Sequence, residues 1–130
     1  MLKNGFILPI MSNANCESDN LVYIIKCTLC DDYYVGQTCR TAKKRWSEHI
    51  RAIKKFFPFR FNTNEIGYHF NLKNHFYKKH LQFYIFKNNL IDESYRRSVE
   101  TDLINMIQTF NNSIINDKIP KYINTLSFVD

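Results

Sequence analysis

Tyr23 and Tyr34 lie on two short β-prone runs, Leu21-Val22-Tyr23 and Tyr34-Val35-Gly36. Arg45 and His49 follow, four positions apart, in a basic stretch with helical spacing. Glu100 stands far downstream in a second helical stretch, with Asn116 beyond it. A guanidinium binds phosphate oxygens in bidentate fashion and stabilises the charge of a pentavalent phosphorus. A phenol or an imidazole moves a proton, and one carboxylate can hold Mg2+ that keeps its other waters. Singly, each has an ordinary use. Strand tyrosines pack, Arg45 and His49 decorate one solvated helix face, and Glu100 has Arg96 and Arg97 a turn away as ion-pair partners.

A second constellation is Cys27-x2-Cys30 with His69 and His75, which have five residues between them. Two thiolates and two imidazoles make a closed tetrahedral S2N2 set, the pattern of structural zinc. His80 competes with the other histidines on spacing alone, while Cys16 and Cys39 are less suited as ligands. Without a metal, Cys27 and Cys30 are simply two small thiols.

These groups need elements to position them. Leu21–Cys27 is β-branched and aromatic and predicts a strand; Tyr33–Gln37 predicts its hairpin partner across Asp31-Asp32. From Thr41, a natural N-cap, Ala42, Trp46, Ile50 (or His49), Ile53 and Phe57 recur every three to four residues and predict an amphipathic helix that Pro58 ends. Phe57–Asn62 reads as a loop, Asn64–Leu72 as a short helix and Gln82–Lys87 as a third strand. Asp92 caps a long helix to about Phe110, with Val99, Leu103, Met106, Ile107 and Phe110 inward. Asn111-Asn112-Ser113 breaks it, and the tail from Ile119 to Asp130 has room for a short packed segment. The expected fold is α+β, a small three-stranded, mostly antiparallel sheet flanked by helices. Residues 1–20 read as a leader or linker and 21–130 as one domain.

The chain of 130 residues is 45% hydrophobic and 15% aromatic, enough for a packed core. Its formal charge of +6 favours a polyanionic partner. Lys43, Lys44, Arg51, Lys54 and Lys55 crowd the outer face of the first helix and, with Lys78 and Lys79, could track phosphates. Nothing among them reads base edges, so strong sequence specificity is not expected. No apolar run approaches the ~20 residues that cross a bilayer, and no clean signal-peptide pattern opens the chain. An intracellular, reducing location is therefore expected, where CxxC spacing favours a metal over a disulfide.

The stretch VYIIKCTLCDDYYVGQTCRTAKKRWSEH resembles the core of the GIY-YIG nuclease superfamily, and in particular the endonuclease domain of Penelope-like retroelements. Tyr34-Val35-Gly36 stands as the YIG triplet, followed by Gln37-Thr38, Arg40, Arg45 and the Glu48-His49 pair; the first triplet reads Leu21-Val22-Tyr23. RRSVETDLINMIQTFNNSIINDK resembles the second block, with Glu100, Thr109 and Asn116 in order. Tyr68-His69-Phe70-Asn71-Leu72-Lys73-Asn74-His75 resembles the element that completes a CCHH metal motif in that branch. The resemblance covers about residues 21–118. It implies a metal-dependent DNA endonuclease leaving 3′-hydroxyl and 5′-phosphate ends through one Mg2+ or Mn2+ on Glu100, with structural zinc on Cys27, Cys30, His69 and His75. Tyr23 would take the water's proton, directly or through Tyr34, with nearby cations favouring its phenolate. Arg45 would bind the phosphate, His49 would orient or relay, and Asn116 would hold a phosphate or position the metal helix. It further implies a monomer or weak dimer, a tie to a larger retroelement protein, and the nucleus as its site of action. The alternative is an inactive, zinc-stabilised nucleic-acid-binding module with the same fold.

Overall fold

The computed structural model describes residues 14–56, 64–110 and 114–116. Strand β1 (Leu21–Cys27) pairs antiparallel with both β2 (Tyr33–Thr38) and β3 (Leu81–Lys87), giving the sheet order β2-β1-β3. The unbroken apolar run of β1 fits this place, because a central strand is covered on both faces. Leu21, Tyr23, Ile25 and Cys27 face helix α1 (Ala42–Lys54), while Val22 and Ile24 face helix α4 (Glu93–Thr109). The domain is thus a three-layer α+β fold whose three strands are all antiparallel. Two short helices, α2 (Glu65–His69) and α3 (Tyr77–His80), join α1 to β3. Sequence periodicity did not separate the single turn α3 from its surroundings.

Helix α1 begins where Thr41 predicts: its Oγ1 accepts the Lys44 amide at 3.2 Å. The amides of Ala42 and Lys43 donate to the carbonyls of Ser18 and Cys16, each at 2.9 Å. Residues 14–20, read from composition as linker, are therefore built onto the domain, and satisfy helix donors that would otherwise be orphaned. Residues 1–13 lie outside the described residues, as do the loop 57–63 with Phe57 and Pro58, the break 111–113 and the tail from 117 on. Among the described residues no helix is long and apolar enough to cross a membrane.

Helix α4 departs from its expected inward face. Val99, Leu103 and Ile107 are buried, but Met106 is 39% and Phe110 37% exposed, and Arg96 takes the next inward position. The helix packs on β2 and β1, so its buried stripe is only one residue wide. Arg96 satisfies its buried guanidinium by donating to Gln37 Oε1 at 2.7 Å, Asn20 Oδ1 at 3.2 Å and the Leu90 carbonyl at 2.9 Å. It pins the end of β2 to the loops at 20 and 90. Asp92 stands at the N-cap without a side-chain capping bond.

The outer edge of β2 would expose unpaired backbone groups. The Ile115 amide donates to the Tyr33 carbonyl at 2.6 Å, and Tyr33 and Ile114 form a single parallel bridge. The Asn116 side chain completes this cover, accepting from the Val35 amide at 3.0 Å and donating to its carbonyl at 2.7 Å.

Candidate active site and metal centre

The β1–β2 register places Tyr23 opposite Gly36 and Ile25 opposite Tyr34, so both phenols share the α1 face as diagonal neighbours. Their ring centroids are 6.2 Å apart. Gly36 is needed here for space: a Cβ would lie 2.9 Å from Tyr23 Cε1 and closer still to Cζ and Oη. The room the glycine leaves is filled by the Tyr23 ring. On the ring's remaining side Phe83 of β3 stacks at 4.9 Å.

Arg45 and His49, one turn apart on α1, meet at the Tyr23 hydroxyl. Arg45 Nε donates to Oη at 2.9 Å, and Oη lies 2.6 Å from His49 Nε2. A guanidinium only donates, so Oη accepts from Arg45; with the imidazole in its Nδ1–H form, the Tyr23 proton goes to His49 Nε2. That Nδ1 is buried without a partner. Burial, reinforced by Arg45, holds His49 down at about 3, so the ring is neutral at physiological pH. Burial first, then Tyr34, pushes the Tyr23 hydroxyl far above its usual range, and Arg45 offsets only part of this. The expectation that nearby cations favour the Tyr23 phenolate is thus corrected: at 0% exposure, lost solvation outweighs one guanidinium. Tyr34 is the partly exposed phenol, raised mainly by burial; Arg45 lowers it, Glu65 raises it, a hydrogen bond with Tyr23 lowers it, and Glu100 raises it least.

Glu48 steadies Arg45, with Oε1 3.4 Å from Nη1 and its other oxygen paired to Arg40. Glu100 is half-buried on α4. Burial raises its carboxyl, while Arg97 and Arg45 pull it back. The carboxylate therefore lies within electrostatic reach of Arg45 and Tyr34, across the β2 end of the sheet. Neither neighbouring arginine takes it as a direct partner: Arg97 pairs with Glu93 at 2.9 Å, and Arg96 is spent on amide and carbonyl oxygens. Glu100 is thus a half-buried carboxylate with no ion-pair partner among the described residues. Asn116 does not join this group. Both ends of its amide are used on Val35, so the expectation that it holds a phosphate is replaced by a role in fixing the strand that carries Tyr34. Lys43, Lys44, Arg51, Lys54 and Lys55 are all exposed along α1, as are Lys78 and Lys79 on α3.

At the far end of β1, Cys27, Cys30, His69 and His75 bring one ligand atom each to within 4.8 Å of one another. Tetrahedral zinc with these donors needs separations of roughly 3.3–3.8 Å, and Cys30 Sγ to His69 Nε2 is already 3.3 Å. The turn that turns Cys30 back on Cys27 uses Asp31 at φ 57°, a conformation Asp tolerates. His75 Nδ1 donates to the Lys73 carbonyl at 3.1 Å, which leaves the lone pair on Nε2; that atom is buried and has no partner. A buried imidazole lone pair with no protein partner beside two thiols has the chemistry of a metal ligand, so these four residues could hold a zinc ion. The two sulfurs meanwhile share a hydrogen bond that lowers Cys27 to about 7 and pushes Cys30 up to about 12. His80 is not a ligand: its Nδ1 accepts the Phe76 amide at 3.0 Å and caps α3. Cys16 and Cys39 are exposed and outside the cluster.

Sequence reasoning missed Phe83 as the support of Tyr23 and Arg96 as the pin of β2. The alternation of Phe83 and Ile85 along β3 could have signalled the first. Nothing local marks the second, whose acceptors come from three distant segments. No protein-family model matches the chain, and neither does any curated protein or solved structure.

Proposed function

We propose that this chain is a metal-dependent DNA endonuclease of the GIY-YIG type, resembling that of Penelope-like retroelements and braced by structural zinc. The observation that carries the reading is the Arg45–Tyr23–His49 chain of hydrogen bonds, flanked by Tyr34 and reached electrostatically by Glu100. A buried histidine nitrogen left without a partner is uncommon in packed cores, and a catalytic role is one explanation of it.

Arg45, with Nη atoms beyond the Tyr23 bond, binds a non-bridging oxygen of the scissile phosphate. Water attacks phosphorus from the side of Tyr34, the phenol open to solvent. Its proton passes to the Tyr23 oxygen, directly or through Tyr34, as the Tyr23 proton moves to His49 Nε2. The negative phosphodiester next to His49 offsets Arg45 and burial, and so raises the basicity of the imidazole in the complex. Glu100 would hold one Mg2+ or Mn2+, which supplies Lewis-acid stabilisation of the leaving 3′ oxygen. The products are 3′-hydroxyl and 5′-phosphate ends. One centre nicks one strand, so a monomer or weak dimer cuts a duplex in two events. A retroelement setting would place this work in the nucleus.

The test is nicking of supercoiled plasmid with Mg2+. Wild type nicks; Glu100→Ala folds, binds DNA and loses several orders of magnitude in rate. Equal cutting by the variant removes Glu100 from the reaction. Binding without cutting by the wild type favours the inactive nucleic-acid-binding module instead.

A further inference from the structure

Beside the phenols lies a cavity of about 430 Å3 between α1 and β3, lined by Ala42, Lys43, Trp46, Phe83 and Ile85 and, from the segment before β1, by residues 14–16. Its size falls in the range of about 300–1,000 Å3 that holds small ligands. Trp46 also lines a second hollow of about 360 Å3, whose other walls are Ile50, Arg51, Lys54 and Lys55. The indole is therefore a partition, partly buried, with a cation on either side of it. Such an arrangement fits one chemistry well: a flat aromatic base against the ring, with the phosphates before and after it on Lys43 and on the Arg51–Lys55 cluster. An aliphatic chain or an apolar peptide would gain nothing from that charge. The cavity is also joined to the site. Trp46 follows Arg45 in sequence, and it meets Phe83 edge-on at 5.9 Å, while Phe83 stacks on Tyr23 at 4.9 Å.

We propose that the Trp46 cavity docks an unpaired nucleobase of the DNA substrate. The inference rests on the nuclease reading and deepens it: the preferred substrate carries a single-stranded segment next to the scissile phosphate. A flap or gap is bound through base stacking and phosphates, an unbroken duplex through phosphates alone.

Trp46 is the only tryptophan, so its fluorescence reports the cavity directly. Short oligothymidylate is titrated into the full chain, with binding followed in parallel by anisotropy of a labelled oligonucleotide. Glu100→Gln and the omission of Mg2+ suppress cutting while leaving the zinc site untouched. The expected result is quenching of Trp46 that saturates with binding. Trp46→Leu, which keeps an apolar filler, weakens oligothymidylate and flap binding roughly 5- to 100-fold, and Trp46→Phe restores most of it. Intact duplex binds wild type and Trp46→Leu alike. The proposal is overturned if oligothymidylate saturates the protein without quenching, or if Trp46→Leu, with an unchanged melting temperature, binds flap as tightly as wild type. It is equally overturned if acrylamide cannot reach Trp46 in the free protein, since the chain's own residues then fill the cavity. The two readings fail separately. Quenching without any nicking sinks the nuclease, whereas nicking without quenching sinks the docking pocket.

Discussion

Replacing Gly36 by alanine tests the seat of Tyr23, on which the whole cluster depends. The added methyl would stand 2.9 Å from Tyr23 Cε1 and nearer to Cζ and Oη. The ring has nowhere to retreat: Phe83 stacks on one side, and Arg45 and His49 hold the hydroxyl. Overpacking of this kind costs about 1–3 kcal/mol. Alanine regains roughly 0.5–1 kcal/mol because glycine loses more backbone freedom on folding. The net change is a destabilisation of about 0–2.5 kcal/mol, centred near 1, which lowers Tm by roughly 4 °C for a domain of this size. Nicking should fall further, by about 100-fold, since a displaced hydroxyl breaks the alignment of Arg45 and His49. A double-mutant cycle isolates the cause. Tyr23→Leu removes Cζ and Oη, so in that background Gly36→Ala should be neutral or stabilising. Tyr23→Phe removes Oη but keeps Cζ, so most of the cost should persist. Thermal unfolding of the variants measures the coupling, about 1–3 kcal/mol between Gly36 and the Tyr23 ring. An equal cost of Gly36→Ala in the wild-type and Tyr23→Leu backgrounds would refute this geometry.

Two further outcomes follow from the buried polar groups. Elemental analysis of purified protein should find one zinc per chain, lost in Cys27→Ala together with roughly 10 °C or more of Tm; a zinc-free wild type of undiminished stability would exclude the site. For His49, the folded value of about 3 lies below the ordinary 6.5. Between those values the unfolded chain binds a proton that the folded chain does not. Stability therefore falls on acidification from 6.5 towards 3, by up to about 1.4 kcal/mol per pH unit. Glu100, raised by burial, contributes with the opposite sign. Denaturant unfolding of His49→Gln against wild type across that window isolates the imidazole, and parallel pH curves would show that His49 is not held neutral.

The three strands and the two long helices were legible because each carries its own period or its own apolar run: Leu21–Cys27 reads as a buried strand whatever surrounds it, and Thr41 caps its helix through a local bond. The Cys27, Cys30, His69, His75 set was likewise legible, since metal spacing is a local property of each pair. Choosing His75 over His80 needed the fold, because only there does His80 spend its nitrogen on the Phe76 amide. The inward face of α4 was misjudged at Met106 and Phe110 because periodicity reports which residues are apolar, not how many strands a helix covers.

By itself the sequence determined the elements, the net charge and the inventory of groups that could act on a phosphodiester. Only the tertiary structure decided what state those groups are in. The protonation of Tyr23, the neutrality of His49 and the spending of Asn116 on Val35 depend on burial and on partners far away along the chain. Local spacing carries no record of desolvation, which arises only when the layers close over the sheet.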